Sequence, residues 1–385
     1  MANEDGLRQR LVEDLRTRDF LHSEPVAQAF ATVPRHIFVP AQPLDEVYTN
    51  RAFVTKVVGG VGLSSSSQPS IMAVMLEQLE LEPGQRVLEI GAGTGYNAAL
   101  IAHLVGPRGR VTTVDIDGDT AETAREHLRA AGSEGVDVVT GDGGFGHPDG
   151  TPYDRIVATA SCWQIPQPWV DQLADGGLLV LPLRLNGAHL CLALRKQGDQ
   201  LVTERGCECG FMPLRGGFGM QGFTMQVGDV RVGGDVELHG SWRAALATVL
   251  QEGRQVKVAF PRGRDSRNAP LHYLALQGKP MLTLLRSATS WGELPFGLAV
   301  SPESVILLPW WRAKRNRLTL YGTDEALDFL REALDRWRSE GKPDVRDLRV
   351  RVRPTGERLG PLPQRMDGRY RFRRGDHVYE MWFER

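Results

Sequence analysis

The stretch that decides the fold is Val87-Leu88-Glu89-Ile90-Gly91-Ala92-Gly93-Thr94-Gly95-Tyr96, an apolar run followed by closely spaced glycines. The apolar run predicts a buried strand, and the glycines predict a tight turn that leads into a helix. Glycine lets backbone amides approach a ligand at a helix N-terminus, where a side chain would block the way. The stretch therefore predicts a strand, a turn and a helix, with a ligand at the turn.

Around this unit, predicted helices and strands alternate. Helices are predicted over 70–79, 96–105, 120–131 and 168–174, and strands over 86–90, 110–115, 136–140, 155–159 and 178–183. This alternation predicts an α/β fold with a parallel, doubly wound, Rossmann-like sheet that binds ligands at the carboxyl ends of its strands. Two further strands, over 189–196 and 200–205, are predicted to complete the sheet in antiparallel orientation.

The segment before the sheet is predicted to carry two helices. Leu7, Leu11, Val12 and Leu15 recur at helical spacing, and a second helix is predicted over 26–32. Residues 33–40, Val-Pro-Arg-His-Ile-Phe-Val-Pro, have two prolines around an apolar pair, which indicates an extended or turn segment that lines a cleft.

The second half of the chain has a different pattern. The glycine-dense residues 215–222 predict a linker between a catalytic domain over 1–215 and a smaller α+β domain over 223–385. The second domain is predicted to contain strands over 255–260, 305–308, 317–321 and 348–352 and helices over 241–251 and 324–339. Residues 342–385 contain twelve Lys or Arg and seven Asp or Glu, which fits either a grip on an acidic partner or a solvated basic face.

Composition excludes several classes of function. The 385 residues have a formal net charge of -1, so no overall attraction to nucleic acid or to an acidic membrane is expected. No apolar segment predicts a signal peptide or a membrane span, and we expect a cytoplasmic protein. Cys207 and Cys209 form a C-x-C pair without the further ligands that a zinc site needs, so no metal is predicted.

Carboxylates follow three successive predicted strands and indicate the cofactor class. Glu89 lies just before the turn, where it would meet a cationic methionine end better than an anionic pyrophosphate, and Asp115 ends the next strand, where it would accept bonds from ribose hydroxyls. Asp142, after the third strand, is placed to receive an adenine amino group. Together with the G-x-G-x-G spacing, these residues predict S-adenosylmethionine as cofactor. The predicted contacts are Glu89, Gly91, Gly93, Thr94, Gly95, Asp115, Asp142 and Gly143.

Five segments resemble, in order, those of the protein-L-isoaspartate O-methyltransferases. The segments are 33–40, 65–69, 87–96, 141–143, and 152–154 leading to Ile165-Pro166, and Phe211-Met212-Pro213-Leu214 is similar to the end of that family's catalytic domain. The resemblance covers roughly residues 5–215 and is more specific than any single motif. It implies a class I methyltransferase fold and the esterification of an aspartyl or isoaspartyl carboxylate, followed by closure to a succinimide.

The resemblance also implies the residues that contact the substrate. Ser67 matches the family's active-site serine, and Ser65 and Ser66 belong to the same segment. The alternative for this serine run is that it caps the helix that begins near Ser70. The implied substrate contacts are His36, Val61, Gly62 and Ile165, of which His36 fits a structural role better than that of a base.

Several functions remain open at the sequence level. The long second domain resembles that of longer bacterial relatives that esterify one aspartate in a ribosomally made, often lanthionine-bridged peptide, so the first reading is peptide tailoring with a modified precursor peptide as partner. The alternative is general repair of isoaspartyl damage in proteins. A binding module without catalysis and a nicotinamide oxidoreductase fit the carboxylates and the serine segment less well, and the sequence does not indicate the oligomeric state.

Overall fold

The computed structural model describes residues 4–59, 61–220, 222–228, 230–236, 238, 240–263, 268–286, 296–308, 317–354, 356 and 358–384. The chain divides into two compact units. The first unit comprises Met1–Pro182, Cys191–Arg205 and Cys209–Gly219, and the second comprises Leu183–Leu190, Gly206–Glu208 and Met220–Arg385. The division therefore crosses three strands, which span Leu173–Leu185, Ala188–Gln197 and Gln200–Glu208, instead of following the contiguous boundary at residue 215 that the sequence suggested.

The first unit begins with short helices and a hairpin. The elements are α1 (Glu4–Thr17), α2 (Glu24–Thr32), α3 (Arg35–Phe38), α4 (Leu44–Val47), the antiparallel strands β1 (Phe53–Val58) and β2 (Val61–Ser66), and α5 (Pro69–Leu79). In α1, the apolar residues at helical spacing are buried as the periodicity predicts.

The α/β sheet follows. Its elements are β3 (Arg86–Ile90), α6 (Tyr96–Val105), β4 (Arg110–Asp115), α7 (Gly118–Ala130), β5 (Val136–Thr140), β6 (Tyr153–Ala158), α8 (Gln167–Gln172), β7 (Leu173–Leu185), β8 (Ala188–Gln197) and β9 (Gln200–Glu208). The strand order is β9-β8-β7-β6-β3-β4-β5, and the pairs from β7 to β5 are parallel. The order changes direction between β3 and β6, which is where sheets of this type bind ligands. The predicted doubly wound sheet is confirmed.

The described residues of the second unit are rich in antiparallel sheet and include three α-helices. Its elements are β10 (Phe223–Val227), β11 (Val230–Gly234), α9 (Gly240–Val249), β12 (Gly253–Lys257), α10 (Ala269–Ala275), β13 (Met281–Arg286), β14 (Phe296–Ser301), β15 (Ser304–Leu308), β16 (Arg317–Gly322), α11 (Glu325–Ser339), β17 (Leu348–Pro354), β18 (Gln364–Met366), β19 (Arg369–Arg374) and β20 (His377–Phe383). The strand order β10-β11-β13-β14-β15-β16-β12 forms one sheet, and β18-β19-β20-β17 are neighbours in another. Leu330 of α11 packs in the core with Leu298, Ile306 and Leu320.

The structure differs from the extended form predicted for residues 33–40 and from the alternative that the serine run caps a helix, while Phe38, Val39 and Pro40 line a cavity as expected. Residues 33–40 contain the short helix α3, because Pro34 stands at its N-cap, where a proline costs no hydrogen bond. The serine run does not cap α5. Ser64–Ser66 lie in β2, the N-cap residue of α5 is Gln68 without a side-chain bond, and the backbone N–H of Ser70 donates to Asn50 Oδ1 (3.0 Å).

One helix end also differs from the prediction. The helix predicted over 168–174 ends at Gln172, and β7 begins directly at Leu173 and continues to Leu185. Among the described residues, no helix combines the length and the apolar character needed to cross a lipid bilayer.

Candidate functional site

The glycine turn after β3 is packed tightly on both sides. Gly91 has φ of +100°, and a Cβ added there would lie 2.6 Å from Thr159 Oγ1. Gly93 has φ of +54°, and its Cβ would lie 3.3 Å from the carbonyl oxygen of Ser65. A side chain at either position would have a strained backbone, and it would collide with Thr159 at Gly91 and be crowded by Ser65 at Gly93. The turn is thus packed against two other segments, one of which is the serine run.

Two of the three predicted carboxylates lie at the carboxyl edge of the sheet. Asp115, at the end of β4, accepts hydrogen bonds from the backbone N–H groups of Gly93 (3.1 Å) and Asp117 (3.0 Å). Asp142, after β5, accepts from the backbone N–H groups of Gly144 (2.9 Å) and Gly217 (2.7 Å). Since β3, β4 and β5 are parallel neighbours, their ends bring the glycine turn and both carboxylates to one edge.

The segment after Pro213 contributes to this edge in a way the sequence did not indicate. Arg215 Nη2 lies 3.9 Å from Asp115 Oδ1, and the ring of Phe218 packs edge-on against Phe145 with 5.3 Å between centroids. Together with the bond from Gly217 to Asp142, these contacts place residues 215–218 across both strand-end carboxylates. The glycine-rich composition had suggested only a linker.

Glu89 lies near the end of β3 with its side chain inside the protein. Its side chain is completely buried, and its oxygens accept from Asn97 Nδ2 (2.8 Å) and Thr113 Oγ1 (2.7 Å). Burial is the main cause that raises the pKa of Glu89, to about 7, and these two hydrogen bonds act in the opposite direction. Glu89 therefore links β3, β4 and the first turn of α6, and its contact with a cationic ligand stays a prediction.

The serine segment lies beside the glycine turn. Ser64 Oγ accepts from Thr55 Oγ1 (3.2 Å), and the Ser65 carbonyl is the group that approaches Gly93. Ser66 is only 2% exposed, and its hydroxyl has no hydrogen-bond partner among the protein groups that the structure describes. Ser67 is half-buried. The segment therefore approaches the turn through Ser64 and Ser65, and it carries an unsatisfied hydroxyl on Ser66 next to the half-buried Ser67.

Arg35 anchors the serine segment through the carbonyl oxygen of Ser67. It is fully buried, and its guanidinium donates to the carbonyl oxygens of Val47 (2.6 Å), Thr49 (3.1 Å), Arg51 (2.8 Å) and Ser67 (3.0 Å). The guanidinium carbon also lies 5.3 Å from the ring centre of Phe53 and 5.8 Å from that of Tyr96. Burial lowers the pKa of Arg35. In the sequence, Arg35 stands out as a charged residue inside a largely apolar segment, but its hydrogen-bond partners are not indicated there.

A cavity of about 390 Å³ opens next to the turn. Its walls come from the residues after α3, from β1, from Ser64 of β2, from Gly93 and Thr94 of the turn, and from the first turns of α7. Lys56 of β1 lines it and donates to both oxygens of Asp117 (2.6 and 2.8 Å), the N-cap residue of α7. This ion pair ties the hairpin to α7.

The remaining predicted substrate contacts have mixed placements. Gly62 of β2 lies near Met212, since a Cβ there would be 3.1 Å from Met212 Cε. Val61 pairs with Val58 through the backbone, and its side chain lies outside the described part of the structure. Ile165 is buried in the loop between β6 and α8. His36 Nδ1 is 2.8 Å from Tyr48 Oη, in a structural contact between α3 and the residue after α4.

The other predicted cofactor residues belong to the same edge. Thr94 is part of the cavity wall, and Gly95 is the N-cap residue of α6 with φ of +87°. Gly143 follows Asp142 in a short 3₁₀ turn, and a Cβ there would be 2.6 Å from Ile90 Cγ2. In the part of the chain that the structure describes, no group of three or more His, Cys, Asp or Glu residues is arranged to hold a metal ion.

Comparison with known proteins identifies relatives of the first unit. The family model described as protein-L-isoaspartate(D-aspartate) O-methyltransferase matches residues 6–218. The protein-L-isoaspartate O-methyltransferase of Methanopyrus kandleri is 38% identical over 227 residues, which are 57% of this chain and 98% of the relative. That of Aeropyrum pernix is 41% identical over 214 residues, which are 55% of this chain and 80% of the relative.

A solved structure extends the similarity beyond the first unit. A protein-L-isoaspartate O-methyltransferase with 27% sequence identity superposes with a TM-score of 0.53. The match covers 89% of this chain and 96% of the other. The two curated relatives align with little more than half of this chain. Of these three proteins, the one with the solved structure has a match that extends into the second unit.

The buried Glu89 makes a prediction about stability and pH. The pKa of Glu89 is about 7 in the folded protein, above the ordinary value of 4.5 expected for the unfolded chain. The free energy of unfolding is therefore highest at low pH, where Glu89 is protonated in both states, and it falls as the pH rises through 7. Glu89→Gln cannot ionise. Between pH 4.5 and 8, the unfolding free energy of the wild type should therefore fall relative to that of Glu89→Gln by roughly 3 kcal/mol.

Urea unfolding at a series of pH values measures this difference. Glu89→Gln also alters the hydrogen bonds at residue 89. This shifts the free energy of unfolding by the same amount at every pH, so it does not affect the change with pH that is compared. Glu82→Gln, at an exposed carboxylate, is the control and should show a much smaller change. A difference between wild type and Glu89→Gln that stays flat across this range would contradict the assignment.

Arg35 makes a second prediction. Arg35→Lys keeps a positive charge but loses the planar fork, so at least one of the four carbonyls is left without a donor. We expect the free energy of unfolding to fall by roughly 2–4 kcal/mol. The exposed Arg10→Lys is the matched control in α1 and should change it by less than about 0.5 kcal/mol. Equal effects of the two substitutions in urea unfolding would refute the role given to Arg35.

Proposed function

Because this chain belongs to the protein-L-isoaspartate (D-aspartate) O-methyltransferase family, and is thus an S-adenosylmethionine-dependent protein carboxyl O-methyltransferase, we propose that it esterifies L-isoaspartyl side-chain carboxylates in polypeptides. The observation that carries the proposal is the approach of the serine segment to the glycine turn, where the Ser65 carbonyl would be 3.3 Å from a Cβ at Gly93. Groups for the acceptor and for the methyl donor thus meet at one sheet edge.

The residues at this edge fit the methyl donor. The positive-φ glycines place no side chain between the turn and a ligand, and Asp115 and Asp142 offer carboxylate oxygens at adjacent strand ends. Each carboxylate oxygen has more than one lone pair, so the bonds to backbone N–H groups leave acceptor capacity. In our proposal Asp115 accepts from the ribose hydroxyls, and Asp142 with Gly143 binds the adenine. When bound, S-adenosylmethionine supplies a methyl group on a positively charged sulfur.

The chain's own residues then need to orient the acceptor and exclude water. A carboxylate is already ionised at neutral pH, so no general base is required. Positive and negative charge are both lost as the new bond forms, and water, which stabilises separate charges, slows such a reaction. The neutral hydroxyls of Ser66 and Ser67 suit this task, because a cationic side chain bound to the carboxylate would weaken its nucleophilicity.

The ester that forms makes the following chemistry possible. The methoxide of the ester is a better leaving group than the oxide of a free carboxylate. The next backbone nitrogen of the substrate therefore attacks the ester carbonyl, methanol departs, and a succinimide ring forms. Water then opens the ring to an aspartyl or isoaspartyl residue. These steps need only a flexible substrate backbone, and we assign no residue of this chain to them.

A second candidate is the tailoring of one ribosomally made peptide. It is motivated by the second unit, which lies beyond the length that aligns with the curated relatives. The solved relative weakens this argument, because its match reaches 89% of this chain under the same family description. We therefore prefer general isoaspartyl methylation, and the cytoplasmic location expected from the sequence remains a prediction.

Peptide substrates separate the two candidates. The purified full-length chain is supplied with a linear isoaspartyl peptide, the same peptide with L-aspartate, and a thioether-bridged cyclic peptide with one aspartate. Methyl transfer is followed by a mass increase and by methanol release. We expect kcat/KM for the isoaspartyl peptide to exceed both others by roughly 100-fold. Preference for the cyclic peptide would favour tailoring, and methylation of none of the three would overturn the proposal.

The unsatisfied hydroxyl of Ser66 makes a sharper prediction. If it serves the acceptor, Ser66→Ala should lower kcat/KM roughly 10-fold or more while the free energy of unfolding rises by about 1 kcal/mol, since a buried unpaired hydroxyl is removed. Ser133→Ala, in the turn after α7, is the control and should change neither quantity. Unchanged turnover by Ser66→Ala, measured with the isoaspartyl peptide, would exclude Ser66 from the site.

A further inference from the structure

The strands near the C-terminus of the second unit form a layer with two unlike faces. Side chains alternate between the faces of a strand. The residues on one face are apolar and buried: Val350, Val352, Tyr370, Phe372, Tyr379 and Met381. The described residues on the other face include six arginines: Arg349, Arg351 and Arg353 of β17, and Arg369, Arg371 and Arg373 of β19. We call this second side the arginine face.

Strand β20 lies between the two rows of arginine. Glu380 is directly opposite Arg351 on one side and Arg371 on the other, and Trp382 is opposite Arg349. The side chains of Arg349, Arg351, Arg369 and Arg371 are 28–39% exposed. The arginine face is thus half open, with its positive charges arranged in two parallel rows.

The arginine face already binds two carboxylates of the same unit: Arg349 Nε lies 2.7 Å from Glu384 Oε2, and three other arginines contact Glu380. Arg371 Nε and Nη2 donate to Glu380 Oε1 at 2.9 and 2.8 Å, Arg369 Nη1 donates to Glu380 Oε2 at 2.9 Å, and Arg351 Nη1 is 3.5 Å from the same atom. Burial acts to raise the pKa of Glu380, but the arginines outweigh it and lower that pKa. Three guanidinium groups therefore share one carboxylate, and a further carboxylate would relieve their mutual repulsion.

We propose that the arginine face is a docking surface for an extended acidic segment of a polypeptide. Residues two apart in a strand are roughly 6.8 Å apart, so carboxylates at alternate positions of an extended peptide match the spacing of arginines along β17 and β19. Arginine suits this partner better than lysine because its planar fork binds carboxylates with two hydrogen bonds, as Arg371 does with Glu380.

A nucleic acid fits the arginine face less well. Binding of single strands uses open aromatic rings on which bases stack. Trp382 lies among the arginines, but the guanidinium carbon of Arg369 lies 4.6 Å and that of Arg351 5.6 Å from its ring centre, so these groups already cover the ring. The proposal concerns binding alone and stands independently of the methyl transfer proposed for the first unit.

The test measures binding to the full-length chain by fluorescence anisotropy. The probes are a labelled peptide of alternating Glu and Thr, the same peptide with Gln for Glu, and a labelled oligodeoxythymidylate. We expect the Glu peptide to bind at low salt and the Gln peptide to bind at least roughly 10-fold more weakly. In the double variant Arg351→Gln/Arg369→Gln the affinity for the Glu peptide should fall by roughly 10-fold.

The matched control is Arg331→Gln/Arg338→Gln on α11, which removes the same charge from exposed arginines of the same unit. It should bind the Glu peptide almost as the wild type does. No binding by the wild type, equal loss in both double variants, or tighter binding of the oligodeoxythymidylate would overturn the proposal. Should the first double variant not fold, a salt titration of the wild type decides, since affinity that is independent of salt would also overturn it.

Discussion

The candidate site depends on the buried guanidinium of Arg35. Its hydrogen-bond partners among the described residues are carbonyl oxygens and not carboxylates. Arg35 binds four carbonyl oxygens that come from three stretches of chain: the end of α4, the approach to β1, and Ser67. Transfer of a charge into a protein interior costs several kcal/mol unless its donors are satisfied. The chain therefore cannot relax around Arg35 without losing these bonds. That rigidity fixes where the serine segment meets the glycine turn.

Glu89 plays a comparable part on the other side of the turn. It joins neighbouring strands to α6 through Thr113 and Asn97, and so sets the direction in which the helix leaves the turn. The hydrogen bonds described for the side chains of Arg35 and Glu89 go to uncharged groups: carbonyl oxygens for Arg35, and an amide and a hydroxyl for Glu89. Of the cations near the site, Lys56 is held by Asp117 and Arg215 lies close to Asp115, which limits their pull on an acceptor carboxylate.

The sequence predicted those parts that depend on neighbours along the chain. The glycine turn, the strands that flank it and the carboxylates at strand ends follow from local spacing, and the order of family motifs added the serine segment. The hairpin β1–β2 was missed because Val54, Val57 and Val58 are exposed and serines are poor strand formers. The contacts of Arg35 and the bond from Gly217 to Asp142 join residues far apart in sequence, so no local pattern contains them.

The path of residues 215–218 determines where the chain can be divided. Gly217 donates to Asp142, and Phe218 covers Phe145, so the first unit is completed by residues that lie past the boundary suggested by composition. A fragment that stops at residue 215 would retain every family motif and still lack one wall beside Asp142. Fragments intended to reproduce the first unit should therefore extend through Gly219, which is the last residue of that unit.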